Sequence, residues 1–293
     1  MKTIQINDDV YEVPSKWNEL SLGQLEFLAR ISQSPQPVEQ LKIMMLLKVL
    51  DAYVQPHSRY SLEQGRASIR VGKERENVVF FSHDHQYLLK PEEVIALANT
   101  QSYLLGSREN KYTGKTETYI DSELDENPLQ KVWSCLHRFY AVPDFTQLTF
   151  EQYMYLQTYL DGVKMDPSNL MRAFACIWHT GKEWNISRLE NDAKILNHLR
   201  GETKMIMYWF IQGSFVFLAD CFPDMFKSGG DAVAMRNTLD HQLRLLDSLA
   251  QHDVTKKDEI RRSPLFDVLY ALDEQMKIAE ERERRIEEQK SRN

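Results

Sequence analysis

The feature that most constrains the fold is a twelve-residue segment that occurs twice. Residues 17–28 (WNELSLGQLEFL) and 145–156 (FTQLTFEQYMYL) align without a gap. The identical pairs are Leu20/Leu148, Gln24/Gln152 and Leu28/Leu156. In each copy a Ser or Thr stands three residues before the Gln, which is the spacing of a capping box at the first turn of a helix. The repeat therefore predicts the same helix start at two places in the chain.

The order of elements after each copy is also similar. A proline-containing break follows, and then an apolar stretch, LKIMMLLKVL (41–50) after the first copy and LMRAFACIWH (170–179) after the second. We interpret the match as an internal duplication, although capping boxes are common and twelve residues can match by chance. Two copies are too few for a solenoid, so we expect two related helical modules.

The segment before the first copy has the composition of strands. TIQI (3–6) and VYEV (10–13) flank an Asn-Asp-Asp turn, which predicts an N-terminal β-hairpin. Helices are predicted from Ser21 and over 38–54. Residues 1–55 are therefore expected to form a hairpin plus a helical module.

Residues 56–127 differ in composition from the helical parts. The segments 67–71 and 77–81 have strand composition around a charged turn, and Pro91 can open a helix over 91–105. The polar stretch 106–127 is predicted to be a loop or linker and marks a domain boundary. We expect a small mixed α/β insertion followed by this linker.

The rest of the chain is predicted to be helical almost throughout, with a larger helical module over 128–262 and an extended charged helix over 263–293. Glycine accounts for only 11 of 293 residues, and this scarcity of turn formers favours long helices. The predicted fold class is mainly α. The predicted helices are 128–140, 149–161, 167–179, 187–199, 203–222, 231–251 and 264–291.

The final helix carries the predicted partner-binding residues. They are apolar and follow heptad spacing, with Glu283 at a skipped core position: Leu265, Leu269, Leu272, Met276 and Ile286. Residues 273–292 include seven acidic and six basic side chains, a near balance typical of a solvated helix with i,i+4 ion pairs. The pattern favours a helix that pairs with a partner or with a second copy of the chain.

No motif in the sequence predicts catalysis, a cofactor or a complete metal site. His83-Asp84-His85 could place two imidazoles on one face of a strand, but no third ligand is marked nearby. Cys176 and His179 lie one helical turn apart without an orienting third group, so a core pair is favoured over a nucleophile and base. The aromatic cluster in 208–222 lacks interleaved basic residues and is predicted to pack in the core.

Charge and hydropathy also restrict the partners. The formal net charge is −7, which makes binding to nucleic acid or anionic lipid unlikely without a local basic patch. The longest apolar run, 205–219, is too short to span a bilayer and is expected to be a buried helix. The N-terminus lacks the pattern of a secretory signal, and three widely spaced cysteines favour a reducing compartment.

The opening pattern resembles a known class of phage proteins. A short hairpin followed by Pro14-Ser-Lys-Trp17-Asn-Glu-Leu-Ser21-Leu-Gly-Gln24 is similar to the start of helical proteins encoded among the tail-morphogenesis genes of phages and prophages of gut bacteria. The similarity covers about residues 1–30. Some of these proteins are described as tail assembly chaperone-like. The resemblance implies a non-enzymatic protein in the host cytoplasm that chaperones the tape-measure protein or becomes part of the virion.

The leading expectation is therefore a phage assembly or virion structural protein that acts through helical contacts with other phage proteins. Two alternatives from other classes remain. One is an enzyme or metal-binding protein that uses His57, His83 and His85. The other is a nucleic-acid-binding accessory protein, which the acidic net charge disfavours.

Overall fold

The computed structural model describes residues 1–33, 37–54, 60–63, 66–69, 78–82, 85–109, 116–226, 238–251 and 253–291. Helices dominate this part of the chain, and the strands form short antiparallel groups. The predicted mainly α fold class, with its N-terminal hairpin and long final helix, is confirmed.

The chain forms two compact units, neither of which is contiguous in sequence. Unit 1 comprises Met1–Leu124 and Arg200–Trp209, and unit 2 comprises Asp125–Leu199 and Phe210–Asn293. Each of the four predicted segments is one continuous stretch of sequence, whereas each unit combines two separate stretches. The first change of unit lies inside the stretch 106–127.

The predicted N-terminal hairpin is present in unit 1. Strand β1 (Lys2–Ile6) pairs with β2 (Asp9–Val13) in antiparallel register, and Asn7 in the turn has a φ of 53°. Asparagine tolerates this left-handed conformation better than most residues. The inward-facing residues of the hairpin join a buried cluster with the following helix and the insertion, which includes Ile4, Ile6, Val13, Leu46, Leu50, Tyr87 and Leu89.

Two helices follow the hairpin. Helix α1 (Leu22–Ser32) begins after a 3-10 turn at Trp17–Glu19, and α2 (Val38–Val49) carries the first apolar stretch. Helix α2 ends before the predicted end at Val54. Asp51 adopts a φ of 47°, and the chain leaves the helix to form a two-residue strand, β3 (Tyr53–Val54).

The insertion contains several short strands. Strand β6 (Val78–Ser82) lies between β3 and β7 (His85–Leu89) in an antiparallel sheet, and β4 (Tyr60–Glu63) pairs with β5 (Arg66–Ile69). The predicted strands 67–71 and 77–81 correspond to β5 and β6 where the structure describes them, and residues 70, 71 and 77 lie outside the described part.

The prediction of a loop over 106–127 is wrong for two segments. After α3 (Pro91–Ala98) and a 3-10 helix (Asn99–Leu104), strand β8 (Leu105–Glu109) pairs antiparallel with β9 (Thr116–Ile120). The segment TETYI is rich in Thr, Tyr and Ile, which favour strands. The charged residues around it dominated the composition and concealed this local preference.

The predicted helix over 128–140 is also wrong. Strands β10 (Lys131–Ser134) and β11 (His137–Tyr140) form an antiparallel hairpin there. Burial alternates along the hairpin, with Val132 and Phe139 buried and their neighbours exposed. That period of two residues is the signature of a strand.

The remaining elements of the chain are helices. The predicted helices 149–161, 167–179, 187–199 and 203–222 correspond to α4 (Phe150–Gly162), α5 (Asn169–Ile177), α6 (Leu189–Leu196) and α7 (Gly201–Cys221). The short helix α8 (Pro223–Phe226) follows α7, and the predicted helix 264–291 corresponds to α11 (Leu265–Ser291). Residues 231–237 of the predicted helix 231–251 lie outside the described part, and α9 (Thr238–Leu249) forms the rest of that helix. Helix α10 (Val254–Arg262) was not predicted.

The two copies of the repeat have the same local structure, which confirms both predicted helix starts. A 3-10 turn precedes each copy's helix, and Ser21 and Thr149 are the N-caps. Each N-cap oxygen accepts a hydrogen bond from the amide of Gln24 or Gln152 at 3.3 Å. The glutamine side chains accept from the N-cap amides at 2.8 and 3.1 Å. Both boxes satisfy backbone groups that the first turn of a helix leaves unpaired.

Candidate partner-binding site

The start of α11 is joined to the second copy of the repeat. The Leu265 amide donates to the Leu148 carbonyl at 2.7 Å, and the Phe150 amide donates to the Ser263 carbonyl at 3.0 Å. These bonds form a short antiparallel bridge between Thr149 and Pro264. Because the bridge uses backbone groups on either side of the N-cap, it holds the first turn of α11 against the start of α4.

The first half of α11 is buried within unit 2. Leu265, Leu269 and Leu272 are all buried, and the Phe266 ring meets that of Phe222 edge to face at a centroid distance of 5.1 Å. Three of the five residues predicted to bind a partner therefore pack in the core of their own chain. Their burial stabilises the fold through removal of apolar surface from water.

A buried carboxylate marks the point where α11 leaves the core. Asp273 is buried and accepts a hydrogen bond from Lys277 Nζ at 2.8 Å and from the Met225 amide at 3.3 Å. The hydrogen bond from Lys277 lowers the pKa of Asp273 below its usual range. The carboxylate therefore stays ionised and ties α11 to α8.

Beyond Asp273 the character of the helix changes. Every side chain described between 275 and 289 is exposed. Met276 is 38% exposed and Ile286 is 51% exposed, and both continue the heptad positions of the buried leucines. Residues 275–291 correspond to about 25 Å of helix, at about 1.5 Å per residue. We call Met276 and Ile286 the distal stripe.

Ion pairs on the other faces support the distal part of α11 as a helix. Arg284 pairs with Glu288 at 3.7 Å, and Arg285 pairs with Glu281, both at i,i+4 spacing. Such exposed pairs stabilise a helix by only about 0.3–0.5 kcal/mol each. They help to keep the helix formed but supply no apolar contact, so the distal stripe is the part of α11 suited to bind an apolar surface.

The histidines of the alternative metal hypothesis are not placed by the structure. His57 and His83 lie outside the described residues, as does the side chain of His85, whose backbone belongs to β7. Within the described ranges, no group of three or more His, Cys, Asp or Glu side chains is arranged to hold a metal ion.

Cys176 and His179 each bond elsewhere instead of forming a nucleophile and base. The Cys176 thiol is buried against the Arg172 carbonyl at 3.4 Å, and burial raises the pKa of the thiol well above its usual value. His179 Nδ1 lies 3.0 Å from the Gly181 carbonyl oxygen, and burial lowers the pKa of the imidazole. A thiol held in its protonated form is a poor nucleophile.

The aromatic cluster in 208–222 packs mainly in the core, as predicted. Trp209, Phe210 and Phe222 are buried. In unit 1 the Trp209 ring lies 5.4 Å from that of Trp17, and in unit 2 the Phe210 ring lies 5.6 Å from that of Phe145. Each copy of the repeat therefore packs its first aromatic residue edge to face against α7.

The exposed apolar and aromatic side chains of the β10–β11 hairpin were not predicted from the sequence. Trp133 and Leu136 are 65% and 96% exposed, and Tyr140 is also exposed. The signal that could have found them is the enrichment of β-branched and aromatic residues in KVWS and HRFY, a composition that favours strands and that a helix prediction over 128–140 overlooked.

Comparisons with protein-family models, with curated proteins and with solved structures found no match to this chain. In the part of the chain that the structure describes, no helix has the length and apolar character needed to cross a membrane.

Proposed function

We propose that this chain is a non-enzymatic protein of phage tail assembly, or a structural protein of the virion, that binds a helical partner through the distal stripe of α11. The observation that carries the proposal is the division of one heptad stripe into two halves. Leu265, Leu269 and Leu272 bury the first half in unit 2, and the distal stripe continues the same face without cover.

The geometry supports contact with a partner in two ways. The first half of α11 is held by core packing, by the bridge at Thr149 and Pro264 and by Asp273, so the distal half starts from a fixed end. A helix whose apolar face is already formed loses less conformational entropy on binding than a disordered segment does. An amphipathic partner helix could then extend the knobs-into-holes packing beyond the core.

The sequence of the stripe also favours a partner over tight pairing between two copies of α11. Glu283 occupies a heptad position between the two residues of the distal stripe. A charged residue at a core position weakens a self-pairing coiled coil and is better matched by a polar or basic residue on a different helix. This agrees with the resemblance of residues 1–30 to tail-morphogenesis proteins, for which the tape-measure protein is the expected partner class.

A stop codon in the gene tests this function. In the phage or prophage that encodes the chain, we expect induced cells to release heads without normal tails, as seen by electron microscopy, and a plasmid copy of the gene to restore tails. Mass spectrometry of purified particles then separates a virion component, which is present, from a chaperone, which is absent. Normal infectious particles in the absence of the chain would contradict the proposal.

Matched variants test the distal stripe itself. The double variant Met276→Glu with Ile286→Glu should lose partner binding, because two charges replace the apolar contacts. Ile278→Glu is the control, since Ile278 is 48% exposed on the same helix but off the stripe. All three substitutions are at exposed positions, so the melting temperatures should stay within about 2 °C of the wild type.

A further inference from the structure

The β10–β11 hairpin of unit 2 has an outward face that the core does not explain. Trp133 pairs across the strands with Arg138, and Lys131 pairs with Tyr140. All four side chains are exposed. The Arg138 guanidinium lies 5.0 Å from the ring centroid of Tyr140 and 5.9 Å from that of Trp133. The face thus combines two aromatic rings with two cations.

The opposite face and the base of the hairpin are well anchored. Val132 and Phe139 are buried, and the Ser134 hydroxyl donates to the Ile195 carbonyl at 2.7 Å. At the base, Tyr140 and His179 exchange two backbone hydrogen bonds of 2.9 and 3.0 Å. The hairpin is therefore held in a fixed position in unit 2, with its outward face exposed.

The two residues at the tip of the hairpin adopt a left-handed backbone conformation that is unfavourable for their residue types. Cys135 and Leu136 form the two-residue turn with φ values of 46° and 66°. Such turns favour Asn-Gly, because both central residues need a left-handed backbone. Leu136 is 96% exposed, so burial does not compensate for the strain. Neither backbone preference nor packing within the chain accounts for a leucine at this position.

We propose that this hairpin is a second docking element, which inserts Leu136 into an apolar pocket of a protein partner whose rim carries carboxylates. Residues 131–140 contain Lys131 and Arg138 and no acidic residue, so the complementary rim is negative. Trp, Tyr and Arg are the residues that most often dominate binding energy at protein interfaces. Strained backbone at an exposed tip is also typical of binding sites.

The arrangement favours a protein over a single-stranded nucleic acid. Bases would need the faces of the aromatic rings, and the Arg138 guanidinium already lies over both rings. The tip is apolar, and Lys131 and Arg138 are the only Lys or Arg residues that segment 131–140 offers to phosphate groups. A leucine at the tip gains most from an apolar pocket, which a folded protein provides.

Photocrosslinking in the cells that encode the chain tests the proposal. Leu136→p-benzoylphenylalanine in the full chain should form an adduct with a protein, and Met165→p-benzoylphenylalanine is the control. Met165 is 91% exposed in the same unit but lies outside the hairpin. The captured protein is then purified, and its affinity for variants of the full chain is measured by calorimetry.

The double variant Cys135→Asn with Leu136→Gly should raise the melting temperature by about 2–4 °C, because it supplies the preferred turn. It should nevertheless bind the captured protein at least about tenfold more weakly, as should Arg138→Glu, while Met165→Ser binds normally. Binding should also weaken at high salt.

An adduct no stronger than that of the Met165 control, an adduct with nucleic acid alone, or equal affinity for all variants would overturn the proposal. A captured protein that has no part in tail assembly would support the docking element and contradict the proposed function, so the two can fail separately.

Discussion

At the scale of single residues, the two capping glutamines have different energetic roles despite their identical positions in the repeat. Among the described residues, Gln24 bonds only within its own capping box, whereas Gln152 is buried and its Nε2 also donates to the Cys176 carbonyl at 2.8 Å. Helix α5 ends at Ile177, so the Cys176 carbonyl belongs to the last turn, whose carbonyls lack partners within the helix. Gln152 thereby links the start of α4 to the end of α5.

We therefore expect Gln152→Leu to reduce the free energy of unfolding more than Gln24→Leu does. Loss of the Gln152 side-chain amide leaves the Cys176 carbonyl and the Thr149 amide without these hydrogen bonds. Each unsatisfied buried group reduces the free energy of unfolding by about 1–3 kcal/mol. Loss of a capping bond at the half-exposed Gln24 costs about 1 kcal/mol. Urea unfolding of the two variants measures the difference, and equal losses would contradict this account.

His179 provides a pH dependence at the same scale. Burial lowers the pKa of His179, so the folded protein favours the neutral imidazole. The unfolded chain takes up a proton near its usual pKa of about 6.5, so stability falls as the pH drops from about 6.5 through the lower pKa of the folded state. His179→Asn should reduce the decrease in melting temperature between pH 7.5 and pH 5. An unchanged decrease would show that His179 does not contribute to it.

At the scale of elements, local signals in the sequence predicted helix starts well. Both capping boxes lie within four residues, and the structure confirms them because backbone groups near in sequence satisfy them. The β10–β11 hairpin was missed because its apolar residues fit a helix as well as two very short strands. What decides between the two is tertiary, since Ser134 bonds to Ile195 and Tyr140 to His179.

The apolar stripe of α11 that was predicted to bind a partner shows the same division between local and tertiary information. Heptad spacing predicted one continuous face from Leu265 to Ile286. It could not show that the face changes from buried to exposed near Asp273, because that depends on where the rest of unit 2 ends. The prediction identified the face, and the structure shows which part of it is accessible.

The division of α11 into a buried and an exposed half predicts the effects of two truncations. Ending the chain after Ile278 removes turns whose described side chains are all exposed and keeps Lys277, so the melting temperature should change by less than about 2 °C. Ending it after Arg262 removes three buried leucines, each contributing about 2–5 kcal/mol, which is comparable to the whole stability of a domain. Thermal unfolding by circular dichroism should show no cooperative transition for unit 2 in the shorter chain, and a normal transition would contradict this role for the first half of α11.

At the scale of the whole molecule, the duplicated helix start is used in both units. One copy packs Trp17 against Trp209 in unit 1, and the other packs Phe145 against Phe210 in unit 2. The sequence predicted two related modules from the repeat alone. It carried no signal that residues 200–209 belong to unit 1, because that membership depends on contacts between residues far apart in the chain.

We propose that the distal stripe of α11 binds the partner needed for assembly. The most direct test of this proposal is the yield of infectious particles when a phage lacking the gene is complemented with variants of the full chain. Met276→Glu with Ile286→Glu should reduce the yield at least about tenfold relative to Ile278→Glu, because a loss of about 1.4 kcal/mol or more in binding corresponds to that factor. Equal yields from the two variants, with both proteins folded, would contradict the claim.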